Sequence, residues 1–371
     1  MKIAIFHPQI NNYGGGETVA LTVASFLSKK HDVEVLCAAK PDPVKLSEFF
    51  GLDLAKVQFK VRRHSMMISK LPSLPSYKSS LNVKYLSDLN HYDLVIDTGT
   101  NGWFSSKLKA KTICYIHFPY FPEKKGWKKL TSPFLVNPKN AFQYDSIVCN
   151  SEFTKRYTKK FTDKEITVIS PPVDVEKIRP GKKKNIIVTV GRFSREKKHE
   201  IMIDAFKKMK LSNWEFHLIG SFQENNSAYD AKYFEKLKQM ASGAKIYFHT
   251  NMPHNKVLEF LGRSRIYWHA RGYGETNPTE FENFGITTVE AMAAGCVPIV
   301  INLGAQPEIV KHGINGFVWN GTDELIALTN HLIADRKSCL RLQKGAISSA
   351  KNHGAKKFAD AINVLIAVLF N

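Results

Sequence analysis

The chain is poor in cysteine and arranges none of it into a site. Its five thiols, Cys37, Cys114, Cys149, Cys296 and Cys339, are scattered over 371 residues with no C-x-x-C pair. That excludes a disulfide scaffold and a zinc ribbon, and the cysteines read as small buried hydrophobes of a reducing compartment. No two histidines stand at helical ligand spacing; His249 and His254 do not share a helix face. No Asp-x-Asp occurs, so the short carboxylate pair that would hold a divalent ion is missing, and neither a metal nor a cofactor is expected. Long apolar runs are absent too. Nothing reaches the ~20 residues of a membrane helix. Lys2-Ile3-Ala4-Ile5-Phe6 is too short for a signal peptide and leads straight into a glycine-rich loop. The apolar tail from Ala361 to Phe370 is about half a membrane span and reads as a docking helix, with an anchor as its alternative. A cytoplasmic location follows from these lacks. Negative charge is also scarce: 33 acidic against 53 basic residues leave a formal +20. Such a field favours nucleic acid, anionic lipid or phosphorylated substrates, or it is simply a solvated surface.

What is present is a globular composition, 43% hydrophobic, in a chain long enough for two domains. Ile3-Ala4-Ile5-Phe6 reads as a strand and Asn11 to Glu17 as a loop holding Gly14, Gly15 and Gly16. A helical pattern runs from Thr18 to Ser28, and a second strand ends at Cys37. This is the β–loop–α–β opening of a doubly wound sheet. The loop does not fit G-x-G-x-x-G and no acidic residue ends the second strand, which speaks against a nicotinamide site. The bare glycine backbone suits a diphosphate, or is only a tight turn. Residues 40–90, broken by Pro72 and Pro75, read as irregular. Asp93 to Asp97 is a buried strand, and Thr112 to Pro119 another that delivers His117 at its carboxyl end, where ligands of open α/β sheets bind. Tyr120 to Leu130 interleaves aromatics with lysines. It fits single-stranded nucleic acid or a membrane surface, and we favour a membrane or acceptor surface. Strands at Asp145–Cys149 and Ile166–Ile169 follow, and the prolines from Pro171 to Pro180 read as a linker.

The second half repeats the plan, with strands near 185–190, 215–219, 246–248, 265–269, 297–300 and 316–319. Arg192 and Lys197 follow the first of these and read as unpaired cations able to neutralise a departing pyrophosphate without a metal. The chain is organised around Glu282-Asn283-Phe284-Gly285-Ile286-Thr287-Thr288-Val289-Glu290. Gly285 lets backbone approach a ligand, and the helix opening behind it presents first-turn N–H groups to an anion. Glu290 is expected about two turns into that helix. The two carboxylates then suit the hydroxyls of a sugar and a ribose on either side of a pyrophosphate; the alternative is an amphipathic helix with two solvated glutamates.

Taken together, Gly14-Gly15-Gly16-Glu17, His117, Gly191-Arg192…Lys197, Glu282-x7-Glu290 and Gly313 to Val318 make the chain similar to the retaining glycosyltransferases of family 4. The resemblance covers essentially the whole chain. It implies the GT-B architecture, an α/β fold of two Rossmann-like doubly wound domains facing a cleft. The acceptor domain would span 1–175, with the helix 356–371 packing back on it, and the nucleotide-sugar domain 182–355. It further implies catalytic roles for His117, Arg192, Lys197 and Glu282. Arg192 and Lys197 would bind the diphosphate, Glu282 the sugar hydroxyls and Glu290 the ribose. Backbone of Asn283, Phe284, Gly285 and Ile286 would assist, as would Gly15 and Gly16 at the β-phosphate. His117 would lie near the sugar's reacting end.

Tyr115-Ile116-His117-Phe118-Pro119 and the E-x7-E region most resemble mannosyltransferases that extend dolichol-linked oligosaccharides from GDP-mannose. The Arg271–Glu280 loop departs from that pattern in being longer and more polar. The expected partners are a nucleotide-sugar donor, a glycan or lipid-linked acceptor and an anionic membrane surface met peripherally. The rival readings are a UDP-sugar transferase of the same family, a GT-B epimerase or phosphorylase, and a basic nucleic-acid-binding protein. No nucleic-acid partner is expected.

Overall fold

The computed structural model describes residues 1–12, 14–61, 89–99, 108–119, 142–222 and 228–371, with the side chains of 228–230 excepted. The aromatic and basic Tyr120–Leu130 segment and Pro72 and Pro75 lie outside the described residues. The chain forms two compact units, Met1–Pro172 with Lys356–Asn371, and Val173–Ala355.

The first unit is built on β1 (Lys2–Phe6), β2 (Asp32–Cys37), β3 (Val57–Val61), β4 (Leu94–Asp97), β5 (Lys111–Ile116), β6 (Ser146–Cys149) and β7 (Ile166–Val168). They form one parallel sheet in the order β3-β2-β1-β4-β5-β6-β7. Leu94-Val95-Ile96-Asp97 is buried throughout, as a central parallel strand covered on both faces must be. Helix α1 (Gly15–Leu27) covers one face. Helix α2 (Pro43–Phe50) and strand β3 correct the irregular reading of residues 40–90. The local reasons for α2 are plain: Asp42 Oδ1 accepts from the N–H groups of Val44 and Lys45, Pro43 opens the first turn, and Gly51 closes it in the left-handed region. Beyond β6 lies the short helix α3 (Glu152–Thr158), capped by Ser151.

The second unit runs β8 (Ile186–Val190), α4 (His199–Met209), β9 (Glu215–Gly220), α5 (Ala228–Ala241), β10 (Ile246–Thr250), α6 (His254–Arg263) and β11 (Ile266–His269). It continues with α7 (Ile286–Ala293), β12 (Val297–Ile301), α8 (Gln306–Ile309), β13 (Phe317–Trp319), α9 (Thr322–Ala334) and α10 (Arg336–Ala350). Its parallel sheet has the order β10-β9-β8-β11-β12-β13. This is the doubly wound order, with the switch point between β8 and β11, where ligands of such sheets bind beyond the strand ends. All six strands read from the second half of the sequence are present. The last helix, α11 (Ala355–Phe370), turns Phe358, Ile362 and Ile366 into the apolar core of the first unit, where Phe358 meets Phe26 and Tyr115 edge-on. All five cysteines are free and buried. Among the described residues, no helix is long and apolar enough to cross a membrane.

Candidate active site

Each unit gathers polar side chains at the carboxyl ends of its central strands. In the first unit His7 follows β1, Thr98 follows β4 and His117 follows β5. His7 Nδ1 is 2.9 Å from Thr98 Oγ1, and its Nε2 is 3.3 Å from Glu17 Oε1. The other Glu17 oxygen accepts the Gly14 N–H at 2.9 Å. The triple glycine is therefore no bare loop. Gly14 caps α1 with its N–H held by Glu17, while Gly15 and Gly16 form the first helical turn. A Cβ on Gly16 would stand 3.3 Å from His7 Cε1 and 3.5 Å from His117 Nε2, so glycine there lets the helix start lie against both imidazoles. Burial pushes His117 down to about 4, and neighbouring His7 pushes the same way. Its imidazole is neutral at pH 7. Burial alone would raise the Glu17 carboxyl, but the hydrogen bond and charge of His7 and the backbone N–H groups bring it below the ordinary value.

In the second unit the turn after β8 carries Arg192, and Lys197 ends its 3-10 turn (Arg195–Lys197). Neither cation is unpaired, which corrects the sequence reading. Arg192 is 71% exposed and pairs with Glu196 at 3.3 Å, while Lys197 Nζ lies 2.8 Å from Glu282 Oε2. Their environments differ because Lys197 points inward, its side chain 18% exposed, to a carboxylate held in a fixed nest. His269 Nε2 reaches the same Glu282 oxygen at 3.2 Å, and Arg271 reaches Oε1 at 3.5 Å. Burial raises the Glu282 carboxyl, yet Lys197, the His269 hydrogen bond and Arg271 together hold it well below the usual carboxylate range. Burial keeps His269 below its ordinary value against the opposing pull of Glu282. Its backbone carbonyl accepts from Trp319 Nε1 at 3.2 Å.

Behind Glu282 the chain passes Asn283 and Phe284 to Gly285, the N-cap of α7, at φ +118°. The turn is buttressed by the segment after β12. Ala305 N–H donates to Glu282 O, Gln306 Nε2 donates to Phe284 O at 2.9 Å, and Thr288 Oγ1 donates to Gln306 Oε1. A Cβ on Gly285 would lie 2.2 Å from Gln306 Nε2, and one on Gly304 2.4 Å from Glu282 O. Only glycines allow this close fit. Ile286 opens α7, so Glu290 is its fifth residue, a little over one turn in rather than two. Glu290 is buried and its Oε1 lies 2.8 Å from His254 Nε2, at the start of α6. That hydrogen bond raises His254 above its ordinary value, burial opposing.

The structure thus brings Lys197, Glu282 and the Asn283–Ile286 turn together, and sets Glu290 further along the same helix. It places His117, Gly15 and Gly16 together in the other unit. The sequence reading missed His7 and Thr98 in one unit and His254, His269, Arg271 and Gln306 in the other. Gln306 carried a signal, since it stands in the Gly304-Ala305-Gln306-Pro307 stretch just past a strand end.

The family described as Glycosyltransferase Family 4 matches residues 13–177, and that described as Glycosyl transferases group 1 matches residues 172–349. A human protein named GDP-Man:Man(3)GlcNAc(2)-PP-Dol alpha-1,2-mannosyltransferase is 23% identical over 96% of this chain and 85% of its own length. The Dictyostelium discoideum protein of the same name is 24% identical over 57% of this chain, and the match spans only 44% of that relative. Among solved structures, Anabaena HepE in complex with UDP superposes with a TM-score of 0.77 at 17% identity, over 99% of this chain and 100% of the other.

Proposed function

We propose that this chain, a GT-B glycosyltransferase joining a family 4 domain to a group 1 domain, moves mannose from GDP-mannose to a glycan or lipid-linked glycan. The nucleotide-sugar-dependent activity is that of the family. The finer reading is supported by the relatives named as GDP-mannose-dependent mannosyltransferases. One observation carries the site. Glu282 is a carboxylate kept ionised by Lys197 and Arg271, set directly before the glycine-capped start of α7. Such a carboxylate accepts from sugar hydroxyls, while the cations and the first-turn N–H groups of α7 face the diphosphate. Glu290, with His254 on one oxygen, offers the other to the ribose.

In this reading the bond from the anomeric carbon to the β-phosphate oxygen breaks, and the acceptor oxygen bonds on the same face. Its proton passes to the leaving phosphate, and bonding on that same face retains the configuration. Lys197 and Arg192 stabilise the charge that develops on that phosphate. His117 of the first unit, neutral at pH 7, can offer a hydrogen bond but no charge. The basic surface favours an anionic membrane or acceptor, met peripherally.

A UDP-sugar donor is the second reading, favoured by the complex of HepE with UDP. Thermal unfolding with GDP, UDP and ADP, and then with their sugars, in EDTA separates the two. A ligand of the folded state raises the melting temperature by mass action. A selective rise with GDP and GDP-mannose supports mannose. A selective UDP rise keeps the transferase and discards GDP-mannose. No rise with any nucleotide, beside a salt-sensitive rise with RNA or DNA, overturns the donor site itself.

A further inference from the structure

We infer that Arg271 is a third diphosphate-binding cation of the donor site. The inference rests on the donor-site reading above. The switch point of the second sheet lies between β8 and β11. The turn after β8 supplies Lys197, and the first residues after β11 are Ala270 and Arg271. The two cations therefore enter from the two strands that flank the crevice where ligands of doubly wound sheets bind.

Lys197 and Glu282 neutralise one another, as do Arg192 and Glu196. Arg271 touches Glu282 at 3.5 Å and lies near enough to Glu196 to favour its ionised form. Three cations among two carboxylates leave one positive charge, and His269, kept neutral by burial, adds none. Arg271 is thus the cation that these five side chains hold in excess of their carboxylates, and it adds to the pull of Lys197 on a diphosphate.

Arg271 is only 15% exposed, whereas Arg192 is 71% exposed. Its Nε donates to Glu280 O at 3.2 Å, which fixes the plane of the guanidinium, with Nη1 3.5 Å from Glu282 Oε1. A fork held this way loses little entropy on meeting phosphate. The polar loop that follows it is fastened as well. Glu275 pairs with Lys198, the neighbour of Lys197, and Gly272 packs at φ +96° where a Cβ would meet Phe281 Cδ1 at 2.9 Å. The long loop after β11 thereby ties Arg271 to the Lys197 turn.

The test uses the whole chain and two nucleotide pairs, GDP with GMP and UDP with UMP. Binding is compared in the wild type, Arg271→Ala, Arg271→Gln and Lys197→Ala. Loss of a charge-assisted contact to the second phosphate should weaken the diphosphate by about ten- to a hundred-fold. The monophosphate should change little. Arg271→Gln keeps a side-chain N–H for Glu280 O but no charge, so it should behave like Arg271→Ala, and it replaces that variant if alanine fails to fold. An unchanged ratio of diphosphate to monophosphate affinity in the Arg271 variants overturns the inference. If Lys197→Ala also leaves the ratio unchanged, the donor-site reading falls with it; if Lys197→Ala lowers it alone, only the role of Arg271 is lost.

Discussion

Lys197 Nζ and Glu282 Oε2 stand 2.8 Å apart although 85 positions separate them in the chain. The pair joins the turn after β8 to the turn before α7, and His269 and Arg271 complete the nest around the carboxylate. A carboxylate so held has one preferred direction for accepting further hydrogen bonds. Replacing it should therefore damage transfer far more than folding. Glu282→Ala is expected to lower kcat/KM by about 10²–10³-fold, the scale of losing one preorganised polar contact to a transition state. Arg192→Ala, which removes a phosphate-facing cation, should lower transfer as well while the circular dichroism spectrum stays that of the wild type. Wild-type rates in both variants would refute the site assignment.

The start of α7 depends on one conformation. Gly285 sits at φ +118°, with Gln306 where a side chain would begin. Gly285→Ala should cost about 1–3 kcal/mol of stability through backbone strain, and more if Gln306 cannot yield. The damage should extend to function, since Gln306 also holds Phe284 O and Thr288 in place. Urea unfolding together with nucleotide binding checks this. A variant of unchanged stability would mean the turn relaxes without strain.

The strands were legible because each central one is a short continuous apolar run, as in Asp93-Leu94-Val95-Ile96-Asp97 and Val297-Pro298-Ile299-Val300. Strand β3 was not, because Val57-Gln58-Phe59-Lys60-Val61 alternates on a sheet edge within a stretch that prolines make look irregular. The E-x7-E stretch and the Arg192–Lys197 turn were legible as residue types beside strand ends. Their pairing was not, for an ion pair spanning 85 positions leaves no periodic trace. His269 ends a buried strand and reads there as core, and Arg271 reads as one more surface cation in a basic chain. Only the fold, by setting β11 beside β8, reveals that both face Glu282.

Glu290 and His254 make a narrower prediction. If Glu290 holds the ribose, Glu290→Ala should weaken GDP by about ten-fold yet leave the affinity for a deoxyribose analogue near its wild-type value. His254→Ala removes the partner of one carboxylate oxygen. It should raise the donor KM a few-fold with kcat nearly unchanged, since it acts on binding alone. Calorimetry with ribo- and deoxyribonucleotides reads both effects. Equal losses for the two nucleotides in Glu290→Ala would place its role elsewhere.

The pH dependence of folding should carry the signature of His117. Its imidazole, pushed by burial to about 4, binds no proton in the folded protein at pH 5–7. In the unfolded chain it titrates near 6.5. Below that value the unfolded state holds more protons, so stability is intact above pH 6.5 and falls as pH drops through the interval down to about 4. Between pH 7 and pH 5 the loss from this residue alone should be about 2 kcal/mol. Burial lowers His199 and His269 as well, so the wild type should lose more than that in total. His117→Gln cannot take up the proton in either state. Its stability should therefore fall less between pH 7 and pH 5 than that of the wild type, by about the His117 share. Urea titrations of both proteins at the two pH values measure the difference. Parallel losses in the two would mean that the folded protein takes up the proton on His117 as readily as the unfolded chain does, and the lowering of this imidazole by burial would have to be given up.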